Sequence, residues 1–155
     1  MSDPIHVRTA AKAIIVRDGH LLAIKCQGRG GVFYILPGGG QEPGEDLVAC
    51  LRRVCPEEIG VDVEVGPLRY VRDYIGRNHD CAAFHGHVHG LELMFDCTLR
   101  GEPLQGGTIP DDPQIGVDWL PLAHIDQYPL MPRALRARIG AWDQSPGPIY
   151  LGDVR

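Results

Sequence analysis

Residues 38–61 read GGGQEPGEDLVACLRRVCPEEIGV. Three glycines lead through a short polar turn to Glu45 and Asp46, and the segment closes on Glu57, Glu58 and Gly60. Between them, Leu47, Val48, Leu51 and Val54 recur at the i, i+3/i+4 interval of a helix with one buried face. Two acids in the first turn complement the positive end of the helix dipole, and Gly60 is placed as a C-terminal cap. Pro56 offers no N–H to the carbonyl of Arg52 and its ring crowds that carbonyl, so the last turn is expected to open or kink. Positions 54, 57 and 58 share one face of such a helix, which therefore presents two carboxylates and one isopropyl group.

Outward from this stretch the chain reads as strands. Residues 7–17 end in β-branched residues, Asp18-Gly19 is a hairpin turn signal, and His20 to Lys25 returns. A loop with Gly28, Gly30 and Gly31 precedes a short apolar strand, Val32 to Leu36. Beyond the helix, Val61 to Tyr74 alternates loosely and is expected to break near Gly66-Pro67. Leu91, Leu93, Phe95, Cys97 and Leu99 alternate with Glu92, Met94, Asp96 and Thr98, the pattern of a half-buried strand. Val117 to Leu120 reads as a short strand, Met131 to Trp142 as a helix with Pro132 near its start, and the tail as one edge strand. Strands in sequential runs with helices set apart predict an α+β fold, a mixed sheet sandwiched between helices.

At 155 residues the chain is most simply one domain spanning 1–155. A net charge of −5, with no Lys/Arg cluster, argues against a nucleic-acid polymer as the main partner. A free nucleotide needs only a local cation or a bound metal. Five widely spaced cysteines without C-x-x-C fit neither a disulfide framework nor a thiolate zinc site, and point to a reducing cytoplasm. There is no apolar signal region at the N-terminus and no apolar run approaching 18 residues, so neither export nor membrane spanning is expected.

The spacing Gly39-x5-Glu45-x7-Arg53, followed in register by Glu57, Glu58, Gly60 and Val61, resembles the box of the Nudix hydrolase family, MutT-like and bacterial. The likeness extends to Leu36-Pro37-Gly38 before the box, to Asp118-Trp119-Leu120, and to Tyr150-Leu151-Gly152-Asp153. It implies a metal-dependent hydrolase that cleaves a phosphoanhydride in a nucleoside diphosphate linked to another moiety. Mg²⁺ or Mn²⁺ would be held by Glu57, Glu58 and the Gly39 carbonyl, with Arg53 and Glu45 bracing the turn and orienting the carboxylates. A homodimer is a further family-level expectation.

One box position departs: Val54 stands where the family pattern has glutamate. An isopropyl group neither binds metal nor accepts a proton, and losing a well-placed base commonly costs about 10²–10⁴-fold in rate. Glu42, Glu92, Asp111 and Asp112 are candidates to replace it. The alternative function is therefore a non-catalytic Nudix-fold protein that binds a nucleotide or sugar-nucleotide as a sensor. A third reading is an α/β domain whose box persists for structural reasons, since adjacent carboxylates near a helix end are usually a solvated face.

His85, His87 and His89 alternate with His79 nearby, and on a continuous strand they would face a transition metal together. Gly86 and Gly90 interrupt the stretch, and contact with substrate by one of these histidines is the better expectation. Tyr34, Arg8, Lys25 and Arg72 lie on predicted strands near the box and could stack a base or meet a phosphate. Each taken singly is an ordinary half-exposed strand residue.

Overall fold

A computed structural model describes residues 6–79, 86–103, 114–141 and 147–155. Its strands are β1 (Val7–Ile14), β2 (Val16–Arg17), β3 (His20–Gly28), β4 (Gly31–Ile35), β5 (Gly38–Gly40), β6 (Val63–Ile75), β7 (His89–Leu99), β8 (Gln114–Pro121) and β9 (Tyr150–Asp153). The helices are α1 (Leu47–Ile59) and α2 (Ala134–Gly140). A mixed five-stranded sheet runs β5-β1-β7-β6-β9, with β1–β7 and β6–β9 parallel. A second sheet joins β2, β3 and β4, with β8 also on β3.

Alternation along β1 decides what lies on each face of the larger sheet. Ala11 and Ala13 face a core that holds Cys50, Leu51, Val54, Cys55 and Ile59 of α1. Ile14 faces a second core, with Tyr70, Met94 and the α2 residues Leu135 and Ile139. The sheet is thus sandwiched between helices, the expected architecture. β7 keeps the expected alternation: Phe95, Cys97 and Leu99 pack on the α1 core, while on the other face Met94 joins the second core and Thr98 is exposed.

Several elements differ locally from the sequence reading. The first strand divides at Ile15, whose carbonyl accepts the Leu22 N–H at 2.9 Å while the chain passes from one sheet to the other. Asp18 and Gly19 both take positive φ (51° and 73°), which closes the expected hairpin. Near Gly66-Pro67, β6 does not break; it bulges, with register shifts on either side of Leu68. Gly66 is required there, since a Cβ would stand 2.7 Å from the Asp96 carbonyl oxygen.

Helix α1 starts one turn detail later than expected. Asp46 is its N-cap, accepting the Ala49 N–H at 2.8 Å, and Glu45 precedes the helix, leaving no acid in the first turn. Pro56 does not open the last turn. One backbone bond is lost, but the Gly60 N–H closes onto the Pro56 carbonyl with φ 76°, and Cys55, Glu58 and Ile59 are buried around the proline. The late helix is shorter than Met131 to Trp142, running Ala134–Gly140, and Trp142 lies outside the described residues. The edge strand of the tail is β9, parallel to β6.

Candidate functional site

β5 is three glycines, each with different surroundings, and Gly38 is the one the backbone requires. Gly38, opposite Lys12 with φ 144°, has no room for a side chain: a Cβ would lie 2.1 Å from the Ala11 carbonyl oxygen and 2.8 Å from the Lys12 Cα. Gly40 lies beneath the Arg8 guanidinium, which a Cβ would meet at 2.3–2.7 Å. Gly39 turns the other way, and its Cβ position would touch both methyls of Val54 at 3.4 Å.

α1 grips this strand at its outer edge. Glu58, 4% exposed, accepts the Gly38 N–H through Oε1 at 2.7 Å, and its own carbonyl accepts Gln114 Nε2 at 2.8 Å. Arg53 donates to Glu45 through both Nε (3.0 Å) and Nη2 (2.7 Å), and Nη2 also reaches the Gly40 carbonyl at 3.1 Å. Glu45 Oε1 accepts the Glu42 N–H at 2.9 Å, so one carboxylate ties the loop to the helix. The hydrogen bonds from Arg53, then that from Glu42, hold the Glu45 carboxyl down at about 2 despite some desolvation. The same pairing pushes Arg53 further up. Glu57 is half-buried on the neighbouring position.

The ladder with β1 redirects one expected ligand. Ala13 donates to the Pro37 carbonyl and Gln41 to the Thr9 carbonyl, so the intervening Ala11–Gly39 pair falls at a hydrogen-bonded position of the antiparallel pattern. The Gly39 carbonyl therefore points into the sheet, where the Cys50 thiol also approaches it at 3.4 Å. Carbonyls of Gly38 and Gly40 point outward, and that of Gly40 meets Arg53. Gly38, beside the Glu58 carboxylate, is the carbonyl available for a ligand at this edge. Sequence spacing missed it because the choice depends on register with a strand 26 residues away, the Lys12–Gly38 pairing.

Val54 is 5% exposed and packs into the α1 core against Gly39, so position 54 aims at the glycine turn with an apolar group. Among the candidate replacements, Glu42 lies in the same loop with Oε1 3.9 Å from Arg53 Nη1. Glu92 is excluded by topology. It pairs with Ala10 and Arg72 on the same face as Met94, so the sheet stands between it and α1. Asp111 and Asp112 lie outside the described residues.

The histidines do not converge. His85 lies outside the described residues, and His87 is exposed. His79 bonds Asp153 at 2.7 Å and stacks on Tyr74, whereas His89 bonds Asp73 at 2.9 Å. Among the described residues no group of three or more His, Cys, Asp or Glu could hold a metal ion. The box edge instead offers oxygen donors only, Glu57, Glu58 and a backbone carbonyl. Such a hard, sparse set fits Mg²⁺ or Mn²⁺, since Mg²⁺ keeps several of its waters.

On the opposite face, a small cleft of about 50 Å³ is lined by Lys12, Ile35, Leu36, Arg72, Glu92, Met131 and Pro132. Arg72 Nε donates to Glu92 at 2.7 Å and Nη1 to the Val154 carbonyl at 2.7 Å. Burial alone would raise the Glu92 carboxyl, but Lys12 and Arg72 hold it below its ordinary value. Of the residues singled out for substrate contact, Arg72 and Lys12's neighbour Arg8 lie on this face. Tyr34 is buried and donates to Asp118 at 3.1 Å. Lys25 pairs on β3 with Tyr34 and Gly116, in the second sheet.

The NUDIX domain model matches residues 6–141. The nucleoside triphosphatase NudI of Enterobacter sp. (strain 638) is 34% identical over 95 residues, which cover 58% of this chain and 67% of the relative. The NudI protein of Salmonella agona is 33% identical over 96 residues, with the same coverages of 58% and 67%. Among solved structures, a MutT NUDIX hydrolase from Burkholderia pseudomallei superposes with a TM-score of 0.68 at 28% identity, covering 86% of this chain and 96% of that one. An ADP-ribose pyrophosphatase from Streptococcus suis shares the fold, with a TM-score of 0.61 at 19% identity over 87% of this chain and 90% of that one.

Proposed function

Because the chain belongs to the NUDIX family, we propose that it is a metal-dependent pyrophosphohydrolase acting on a nucleoside diphosphate linked to another moiety. The observation that carries this reading is the lock of α1 onto β5: the Glu58 carboxylate on the Gly38 N–H, and the Glu45–Arg53 pair on the Gly40 carbonyl. It sets the Glu58 carboxylate beside Gly38, with Glu57 at the adjoining position of α1.

Glu57, Glu58 and the Gly38 carbonyl, in place of Gly39, would hold Mg²⁺ or Mn²⁺. A divalent ion held there would screen phosphate oxygens and lower the pKa of a bound water. The chain's own part is positional. Arg53 fixes the Gly40 carbonyl and the loop carboxylate, while Val54 sets its methyl groups against Gly39. With no carboxylate at 54, turnover is expected to be low. Four described cysteines are free and buried, which agrees with a reducing cytoplasm.

A second reading, a nucleotide-binding protein without turnover, is favoured by the burial of Val54 against Gly39. Hydrolysis of ADP-ribose, dinucleoside polyphosphates, nicotinamide dinucleotides and oxidised nucleoside triphosphates, run with Mg²⁺ and Mn²⁺, separates the two. Val54→Glu is expected to raise the rate on the preferred substrate about 10²-fold or more. No turnover in either protein, with metal and nucleotide still bound, would establish the binding role.

A further inference from the structure

The glycines of β5 leave room for two cations as well as for a tight turn. Arg8, Lys12 and Arg72 all project from the face of the large sheet opposite α1, the face shared by Ala10, Glu92 and Met94. The Arg8 guanidinium lies over Gly40, and the Lys12 stem crosses Gly38, where its Cδ would stand 2.8 Å from a Cβ. Although four residues apart on β1, the two side chains thus seat on positions only two residues apart on β5, a separation of roughly 7 Å along a strand.

The third cation is engaged elsewhere: Arg72 is fixed between Glu92 and the Val154 carbonyl. Among the described residues neither Arg8 nor Lys12 forms an ion pair within 4 Å. Glu92 is shared between Arg72 and Lys12, so Arg8, Lys12, Arg72 and Glu92 together carry a net charge of about +2. This positive strip begins at the same two glycines whose backbone α1 holds through Glu58 and Arg53. It leads into the cleft beside Met131 and Pro132.

We propose that Arg8 and Lys12 form a two-cation rail, seated over Gly40 and Gly38, that binds the phosphate chain of a nucleotide substrate. Two separately seated cations favour an extended polyphosphate chain, which offers oxygens and charge to each of them, over a single orthophosphate. Lys12, at the cleft end, takes the phosphate nearest the nucleoside. Arg8 takes a phosphate toward the box. Neither residue reacts; they are positioning residues. The inference rests on the hydrolase reading for the orientation of the substrate, but the anion site itself stands on the geometry of β1 and β5.

Calorimetric titration of the full chain with inorganic tripolyphosphate and with orthophosphate, in the absence of divalent metal, tests it. In Arg8→Gln/Lys12→Met, which keeps both stems, tripolyphosphate affinity is expected to fall about 10- to 100-fold while orthophosphate affinity changes far less. Arg8→Lys/Lys12→Arg, which keeps both charges, should bind tripolyphosphate nearly as the parent does and controls for folding. Equal tripolyphosphate affinity in the parent and the neutral pair overturns the rail, as does equal sensitivity to orthophosphate. If no nucleotide is hydrolysed yet tripolyphosphate binding still depends on the two charges, the rail stands and the hydrolase reading falls.

Discussion

Glu45 serves three donors with one carboxylate: two from Arg53 and one from the Glu42 backbone. Its carboxyl lies at about 2 against an ordinary 4.5, so it binds a proton more readily in the unfolded chain. The stabilisation it supplies is complete above pH 4.5 and disappears as pH falls through about 2. Urea unfolding of Glu45→Gln at a series of pH values should show a lower midpoint than the parent at pH 6, with the gap closing between 4.5 and 2. A gap that stays constant over that window would mean the pair contributes through shape alone. Val54 poses the converse case. A glutamate there gains a metal-facing carboxylate but must be buried among Cys50, Leu51 and Cys55. Val54→Glu is accordingly expected to unfold at lower temperature without divalent metal and to recover part of the loss when Mg²⁺ is added, as read by calorimetry.

At the scale of the element, α1 is defined by its two ends. Gly60 caps the last turn, which was readable because capping chemistry is local, whereas Asp46, read as lying inside the first turn, stands just outside it as the N-cap. Asp46→Ala removes an exposed cap and should cost about 1 kcal/mol, lowering Tm by roughly 2–4 °C in a chain of this size. The tolerance of Pro56 was not readable. Burial of the residues around it and the Gly60 closure together outweigh one missing hydrogen bond, and both depend on what α1 packs against. β5 is more sensitive. Gly38→Ala drives a Cβ into the Ala11 carbonyl and should abolish cooperative thermal unfolding or shift it by well over 5 °C, whereas Gly44→Ala, with φ 89° and open space, is strained only by its backbone.

Across the whole molecule, what the sequence made legible was whatever lies within one contiguous stretch: the box spacing, the helix, the hairpin at Asp18-Gly19. What it hid was created by pairing between strands. Register with β1 turned the Gly39 carbonyl inward and the Gly38 carbonyl outward. Alternation on β7 put Glu92 across the sheet from α1, into a pair with Arg72 from β6 and near Lys12 from β1. That pair joins β6 to β7, with Lys12 of β1 beside it, and removing one partner leaves the other charge largely buried. Arg72→Met is expected to destabilise by about 3–5 kcal/mol, and the double variant with Glu92→Leu by clearly less. Denaturant titration of the two single variants and the double closes that cycle, and a double variant as unstable as the sum of the singles would deny the coupling.

The other hydrogen bond of Arg72 has a practical consequence. Val154 supplies its carbonyl acceptor, Asp153 receives the Ile75 N–H and bonds Asn78 and His79, and the Arg155 carbonyl accepts the Ala134 N–H at the start of α2. Residues 150–155 are therefore tied to β6 on one side and to α2 on the other, and through Arg72 to a residue that lines the cleft. A purification handle fused directly after Arg155 would pull on those contacts and, through Arg72, on the cleft. Assays on C-terminally tagged protein would then report a damaged cleft as a property of the native molecule.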